Sequence, residues 1–126
     1  MAEEWQRRSG ELKSALISAE ETLRVLREMG LRLDAVSHDR TESLRAFESG
    51  IPATLFDAMR RFAADADIQS ACLYAIHRIS RECHGRFAVF GPWDEVFRAM
   101  EAFPDSSDVC KNGCWAIGMS LFFMLC

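Results

Sequence analysis

The chain has 126 residues, of which 49% are hydrophobic and 27% are charged, and its net charge is -4 at pH 7. This length predicts one domain, and this composition excludes a disordered chain and favours an ordinary globular protein. The negative net charge and the scattered basic residues argue against nucleic-acid binding, which requires lysine and arginine massed on one surface.

Cysteine usage and hydropathy indicate the compartment. Five cysteines, an odd number at irregular spacing, predict reduced thiols and therefore a cytoplasmic protein, with the nucleus as the alternative. The N-terminus has no apolar signal-peptide region. The most apolar stretch, residues 114–126, is shorter than the roughly 20 residues that span a bilayer. We therefore expect no membrane segment and interpret that stretch as a buried helix.

Residues 1–38 are predicted to form one amphipathic helix. Its apolar residues recur at alternating three- and four-residue steps, namely Trp5, Leu12, Leu16, Ala19, Leu23 and Leu26. Two interpretations of this stripe stay open: the helix caps the remainder of the chain, or it pairs with a second chain as a coiled coil. The cap is favoured because the heptads are few and Gly10 interrupts them.

Residues 39–80 and 81–126 are predicted to be two copies of one unit, because they match without a gap when Gly50 is aligned with Gly91. The same offset of 41 residues aligns further identical residues, namely Phe56 with Phe97, Ala58 with Ala99, Met59 with Met100, Phe62 with Phe103, Asp67 with Asp108, Ala75 with Ala116 and Ile76 with Ile117.

Each unit is predicted to contain a short helix, a turn at the glycine and two longer helices. In the first unit the short helix covers TESLRAFES, and Pro52 begins the next helix. The turn AADAD then separates that helix from an apolar stripe that begins at Ile68. In the second unit the short helix covers RFAVF, after a polar turn SRECHGR, and FPDSSD separates the last two helices. Both glycines are expected to adopt positive φ.

The two units resemble the armadillo repeat. Gly50-Ile51-Pro52, Ile68-Gln69 and Ala75-Ile76 match the first unit to that family's pattern, and Val109 with residues 112–117 match the second. The resemblance extends from Thr41 to about Leu121. It implies an all-α fold, a short right-handed α-solenoid of armadillo-type repeats on which the N-terminal helix forms a cap.

No nucleotide-binding, hydrolase or zinc-protease motif occurs, so we expect neither an enzyme nor a bound cofactor. Cys110 and Cys114 are four residues apart on one predicted helix, but no second Cys or His pair accompanies them, which favours packing thiols over zinc. A nucleophile pair of Cys83 with His77 or His84 lacks an orienting acid. No metal site is expected.

In armadillo proteins the last helix of each unit lines a concave groove that binds partner proteins or peptides. Helical spacing places six residues on that face here, namely Ser70, Tyr74, Arg78, Lys111, Trp115 and Met119. Nuclear-import adaptors of this kind place Asn four residues after the aromatic residue, where this chain has Arg78 and Met119. The resemblance therefore favours an apolar or acidic partner over a basic localisation signal.

The expected function is thus that of a protein-interaction scaffold without catalytic activity. The alternative is a structural or oligomerisation fragment of a longer armadillo array. The apolar run Leu121-Phe122-Phe123-Met124-Leu125 supports that alternative, because it predicts an end that packs on further repeats or on a second copy.

Overall fold

The computed structural model describes residues 2–36, 38–81 and 93–125, and the side chains of residues 3–36, 38–81 and 93–118. Within these residues the regular elements are seven α-helices and no strand, which confirms the all-α class. The helices are α1 (Ala2–Ala15), α2 (Ala19–Ala35), α3 (Arg40–Glu48), α4 (Ile51–Arg61), α5 (Ala66–Ser80), α6 (Trp93–Ala102) and α7 (Ser107–Leu125). Gly91 and the segments SRECHGR and RFAVF, apart from Ser80 and Arg81, lie outside the described residues.

The N-terminal segment is two helices, so the prediction of one helix over residues 1–38 is wrong. The helix is interrupted between Ala15 and Ala19. Ser18 there has an extended backbone at φ -141°, and its hydroxyl accepts a hydrogen bond from the backbone N–H of Glu21 at 3.4 Å. A serine with a glutamate three residues later is the sequence signature of a capping box, which marks the start of a helix. Gly10, by contrast, lies inside α1 and does not interrupt it.

Three helix pairs, α1–α2, α4–α5 and α6–α7, share one kind of junction. Each second helix begins with a capping side chain that accepts a backbone N–H three residues later. The capping residues are Ser18, Asp65 and Ser106, which accept from Glu21, Ile68 and Val109 at 3.4, 3.1 and 3.3 Å. Ser18 precedes Asp65 by 47 positions, and Asp65 precedes Ser106 by 41.

A second contact recurs at the same three junctions. The fourth residue of each second helix donates a side-chain hydrogen bond to a backbone carbonyl seven residues earlier, at the end of the first helix. The three contacts are Thr22 Oγ1 to Ala15 at 2.7 Å, Gln69 Nε2 to Phe62 at 2.8 Å and the weaker Cys110 Sγ to Phe103 at 3.7 Å. The N-terminal helices therefore have the same local construction as the two predicted units.

The second helices of the three pairs lie side by side. The two most extensive helix–helix contacts join α2 to α5 and α5 to α7, while α1 packs on α2, α3 and α4. This packing buries the N-terminal apolar stripe at Trp5, Leu12 and Leu26. The Trp5 indole N–H also donates to Glu42 of α3 at 2.8 Å. No helix in the described part of the chain has both the length and the apolar character needed to cross a bilayer.

Gly50 makes the turn from α3 into α4 with a left-handed backbone, φ +92°, as predicted. A Cβ built on this residue would meet only the Ser9 hydroxyl at 3.6 Å, so space is not the constraint. The backbone conformation itself requires glycine here. Pro52 follows in the first turn of α4, where its missing N–H costs no hydrogen bond.

Candidate functional site

A surface groove of about 610 Å³ crosses the three side-by-side helices. Residues at four-residue steps line it, namely Leu23, Arg27 and Leu31 from α2, Ser70 and Tyr74 from α5, and Lys111 and Trp115 from α7. Residues at this spacing share one face of a helix. Ser70 and Tyr74 of α5 precede Lys111 and Trp115 of α7 by 41 residues, the offset between the caps Asp65 and Ser106. The lining residues of α2 precede those of α5 by 47 residues, the offset between the caps Ser18 and Asp65.

Four of the six predicted groove residues line this groove: Ser70, Tyr74, Lys111 and Trp115. Arg78 lies beside it, one helical turn beyond Tyr74, and makes contacts within the chain. Met119 belongs to α7, and its side chain lies outside the described residues. Predicted groove residues from both units, Ser70 and Tyr74 from the first and Lys111 and Trp115 from the second, thus lie on one surface.

Aromatic rings connect α5 with α7. The His77 ring lies 5.0 Å from the Trp115 ring, measured between centroids, and meets the Tyr74 ring edge-on at 6.3 Å. The Lys111 ammonium lies 5.3 Å from the centre of the Trp115 indole, a favourable cation–π distance. Trp115 nevertheless remains 45% exposed, so the indole packs between neighbouring helices and still offers a surface to a partner.

Tyr74 bridges α5 and α2. Its ring lies over Gly30, where an added Cβ would sit 3.7 Å from the ring carbon Cδ1. Its hydroxyl donates to Asp34 Oδ1 at 2.5 Å and accepts from Arg78 Nε at 3.0 Å. Burial, followed by the hydrogen bond to Asp34, raises the pKa of the Tyr74 phenol. The phenol is therefore a neutral donor at physiological pH.

The positive charge of Arg78 is paired with a carboxylate of its own chain. Its Nε lies 2.8 Å from Asp34 Oδ1, and its guanidinium carbon lies 5.2 Å from the centre of the Tyr74 ring. The side chain is only 23% exposed. An arginine held this way rigidifies the groove wall, and meeting a partner carboxylate would require it to share its existing ion pair.

His77 is held in its neutral form. Burial lowers the pKa of His77 to about 4, and the positive charges of Arg78 and Arg81 act in the same direction against the opposing charge of Asp34. Its Nδ1 is buried without a hydrogen-bond partner among the described residues. Because the neutral ring lies against Trp115, it serves at pH 7 as an aromatic support rather than as a cation.

Asn112 fixes the floor of the groove between α5 and α7. Its Nδ2 donates to the Ser70 hydroxyl at 3.2 Å and lies 3.4 Å from the Ser70 carbonyl oxygen. Asn112 is only 6% exposed, which makes it a buried link between helices rather than a free ligand.

The charged residues around the groove have mixed signs. Asp67 and Asp108 lie at one end with Lys111, whose Nζ is 3.8 Å from Asp108 Oδ1, and Arg27 lies along α2. Exposed pairs at this distance contribute little binding or folding energy. The groove therefore has no massed charge of either sign, and its exposed large hydrophobic side chains are Leu31 and Trp115.

The cysteines do not form a described metal site. Cys110 is half-buried and Cys114 is exposed, and Cys72 is fully buried, which raises the pKa of its thiol. Among the residues that the structure describes, no group of three or more His, Cys, Asp or Glu side chains is placed to hold a metal ion. Cys83 and His84 lie outside the described residues.

Helix α2 also contributes to the groove, through Leu23, Arg27 and Leu31, and the sequence pattern did not predict this contribution. A comparison at an offset of 41 residues cannot find it, because α2 and α5 are related by 47 residues. The available signal was the capping box Ser18-Ala19-Glu20-Glu21, which sets the start of α2 and hence its register with Asp65.

Comparison with protein-family models, curated proteins and solved structures finds no match to this chain.

Proposed function

We propose that the chain is a short right-handed α-solenoid of armadillo type and acts as a protein-interaction module without catalytic activity. The recurring junctions of α1–α2, α4–α5 and α6–α7 support three stacked units rather than two. Three is the number at which such repeats usually become stable, because each unit buries its apolar face on its neighbours. On this proposal α1–α2 is both the first unit and the N-terminal cap.

The observation that carries the proposal is the exposed apolar surface in the groove. Leu31 is 71% exposed and Trp115 is 45% exposed, on opposite sides of the half-buried Tyr74. Tryptophan and tyrosine dominate binding hot spots because they bury a large area and lose little rotamer entropy. A partner that covers both ends of this surface would cross all three helices.

The groove best fits an extended or helical partner segment with apolar anchors. Its walls are rigid, since Asp34, Tyr74 and Arg78 hold one another and Asn112 holds Ser70. Lys111, with a 53% exposed side chain, is the cation best placed to meet a carboxylate beside a partner's apolar anchor. The proposed partner is therefore apolar with an acidic flank.

A peptide-display selection tests this proposal with three forms of the full chain. The wild type should enrich peptides with apolar anchors, and Trp115→Ala should lose that enrichment because it removes the exposed aromatic anchor at one end of the groove. The matched control is Ile17→Ala, which truncates an 85% exposed side chain outside the groove and should keep the enrichment.

Circular dichroism and thermal melting should show that both variants remain folded, so that a loss reports binding rather than unfolding. Failure of the wild type to enrich any peptide family would contradict the proposal. So would a peptide family that binds Trp115→Ala as well as the wild type.

A further inference from the structure

The neutral polar side chains that line the groove are already bonded within the chain. The Ser70 hydroxyl accepts from Asn112 Nδ2 at 3.2 Å, and the other polar atom of that amide, Oδ1, is itself buried. The Tyr74 hydroxyl donates to Asp34 and accepts from Arg78. The groove therefore presents no free side-chain amide that can pair with the backbone of a bound segment.

The floor between the two exposed ends of the groove is apolar. It is formed by the buried Leu26, by Gly30 beneath the Tyr74 ring and by the half-buried Ala71. Packed helices lie about 8–10 Å apart, so a segment that crosses from α2 over α5 to α7 spans about 16–20 Å.

An extended segment and a helix meet such a floor at different cost. An extended segment of about five or six residues covers this distance, and its backbone N–H and C=O groups that face the floor lose water without gaining partners. A helix covers the same distance with about 11–13 residues and satisfies its backbone internally. An apolar floor without free amides thus favours a helix.

Each end of the groove combines an exposed apolar side chain with a cation on the preceding helical turn. On α2 these are Leu31 and the exposed Arg27, and on α7 they are Trp115 and Lys111. Arg27 makes no hydrogen bond or ion pair with another residue in the described part of the chain. A carboxylate beside each end anchor of a partner would therefore meet a cation.

Two aspartates limit where such carboxylates can lie. Asp67 and Asp108 are in the first turns of α5 and α7, at one edge of the groove. They would repel a carboxylate placed beyond the cations. The acidic residues of a partner are thus restricted to positions next to its anchors.

We propose that the partner segment is an amphipathic helix that lies across α2, α5 and α7. This inference rests on the proposed function and narrows its partner from an extended or helical segment to a helix. Apolar anchors at i, i+4, i+7 and i+11 form one stripe on such a helix, and its end anchors contact Leu31 and Trp115. A carboxylate beside each end anchor pairs with Arg27 or Lys111.

Two displayed peptide libraries presented to the full chain test the helix. Both contain peptides of about 16 residues with randomised anchor and flanking positions, long enough for the four anchors. One has an alanine-rich, helix-favouring background, and the other has proline at every third position, which prevents a helix. The wild type should enrich the first library alone, Trp115→Ala should enrich neither, and Ile17→Ala should behave like the wild type.

Proline substitutions in an enriched peptide give a matched comparison. Proline in the middle of the peptide should weaken binding at least about a hundredfold, whereas proline at the first helical position should change it less than about threefold. An extended segment would not distinguish the two positions in this way. Equal tolerance of both prolines would overturn the helix.

The selection also separates this inference from the proposed function. Enrichment of the proline library by the wild type and not by Trp115→Ala would overturn the helix and leave the interaction module intact. If the wild type enriches neither library, both proposals fall. Lys111→Glu should exchange the preferred acidic residue beside one end anchor for a basic one, and an unchanged preference would overturn the predicted charge pairing. Circular dichroism should show that each variant is folded.

Discussion

Two glycines of this chain differ in backbone conformation: Gly50 is left-handed, and Gly10 is helical. Gly50 begins α4 at φ +92°, a conformation that side chains other than glycine adopt at a cost. Gly10 lies inside α1, and apart from the backbone of its own helix nothing lies within 4 Å of the position that its Cβ would take. The same substitution by alanine should therefore have opposite effects on stability at the two positions.

We expect Gly50→Ala to lower the free energy of unfolding by about 1 kcal/mol, because alanine must adopt a left-handed backbone there. Gly10→Ala should raise it by about 0.5–1 kcal/mol, because alanine restricts the unfolded chain and favours the helix. Urea denaturation of both variants measures the two changes. Equal effects, or a stabilised Gly50→Ala, would show that the turn does not depend on glycine.

Residue spacing predicted which side chains face the groove but not which charges pair there. Four-residue steps placed Ser70, Tyr74, Lys111 and Trp115 on one surface, because the helical period fixes the direction of each side chain. The partner of Arg78 could not be found in this way. Asp34 belongs to a helix whose register was unknown, and its contact with Tyr74 spans 40 positions of sequence.

At the scale of elements, the local signals of residues 39–80 were sufficient. Proline, glycine and the Asp-rich turn marked the ends of α3, α4 and α5, and Asp39 and Asp65 cap α3 and α5. The N-terminal helices were harder, because the turn at residues 16–18 has neither glycine nor proline and keeps the apolar residues in helical phase. Periodicity alone cannot detect such a break; a capping box can.

The junction between α4 and α5 depends on an amide that donates rather than accepts. Gln69 is fully buried, and its Nε2 donates to the carbonyls of Met59 and Phe62 at 3.1 and 2.8 Å. Gln69→Glu would place a carboxylate against two carbonyl oxygens and should cost at least about 3 kcal/mol of stability. Gln69→Leu keeps the side-chain volume, introduces no charge and should cost about 1–2 kcal/mol of stability.

Cys110 supplies the matched control at the next junction. Its thiol makes only weak contacts with the carbonyls of Phe103 and Pro104, at 3.7 and 3.8 Å, so Cys110→Ala should cost less than about 1 kcal/mol. Chemical denaturation of the three variants gives the order of stability. Finding Gln69→Glu as stable as Gln69→Leu would contradict the assigned direction of the hydrogen bonds.

Within the described residues, the three helix pairs lie in a row with α4–α5 in the middle. Helix α5 packs on α2 and on α7, and no comparably extensive contact joins α2 to α7 in this part of the chain. Its apolar residues reflect this position, since Ile68, Cys72, Leu73, Ile76 and Ile79 are all 0% exposed. In repeat proteins the stability of each unit depends on its contacts with its nearest neighbours. On the proposed repeat arrangement, local opening should therefore begin at the ends of the row.

Hydrogen exchange followed by mass spectrometry should show this gradient along the chain. We expect amides of α5 to exchange slowest and those of α1 and α6 faster, because the outer pairs lose contacts on one side only when they open. Leu73 is fully buried, so Leu73→Ala creates a cavity beside α5 and should speed exchange in all three pairs, whereas Ile17→Ala should change only amides near its own turn. Slower exchange in α1 than in α5 would contradict a row of stacked pairs. Equal protection of all helices would mean that the chain unfolds as one unit, without the nearest-neighbour behaviour of a solenoid.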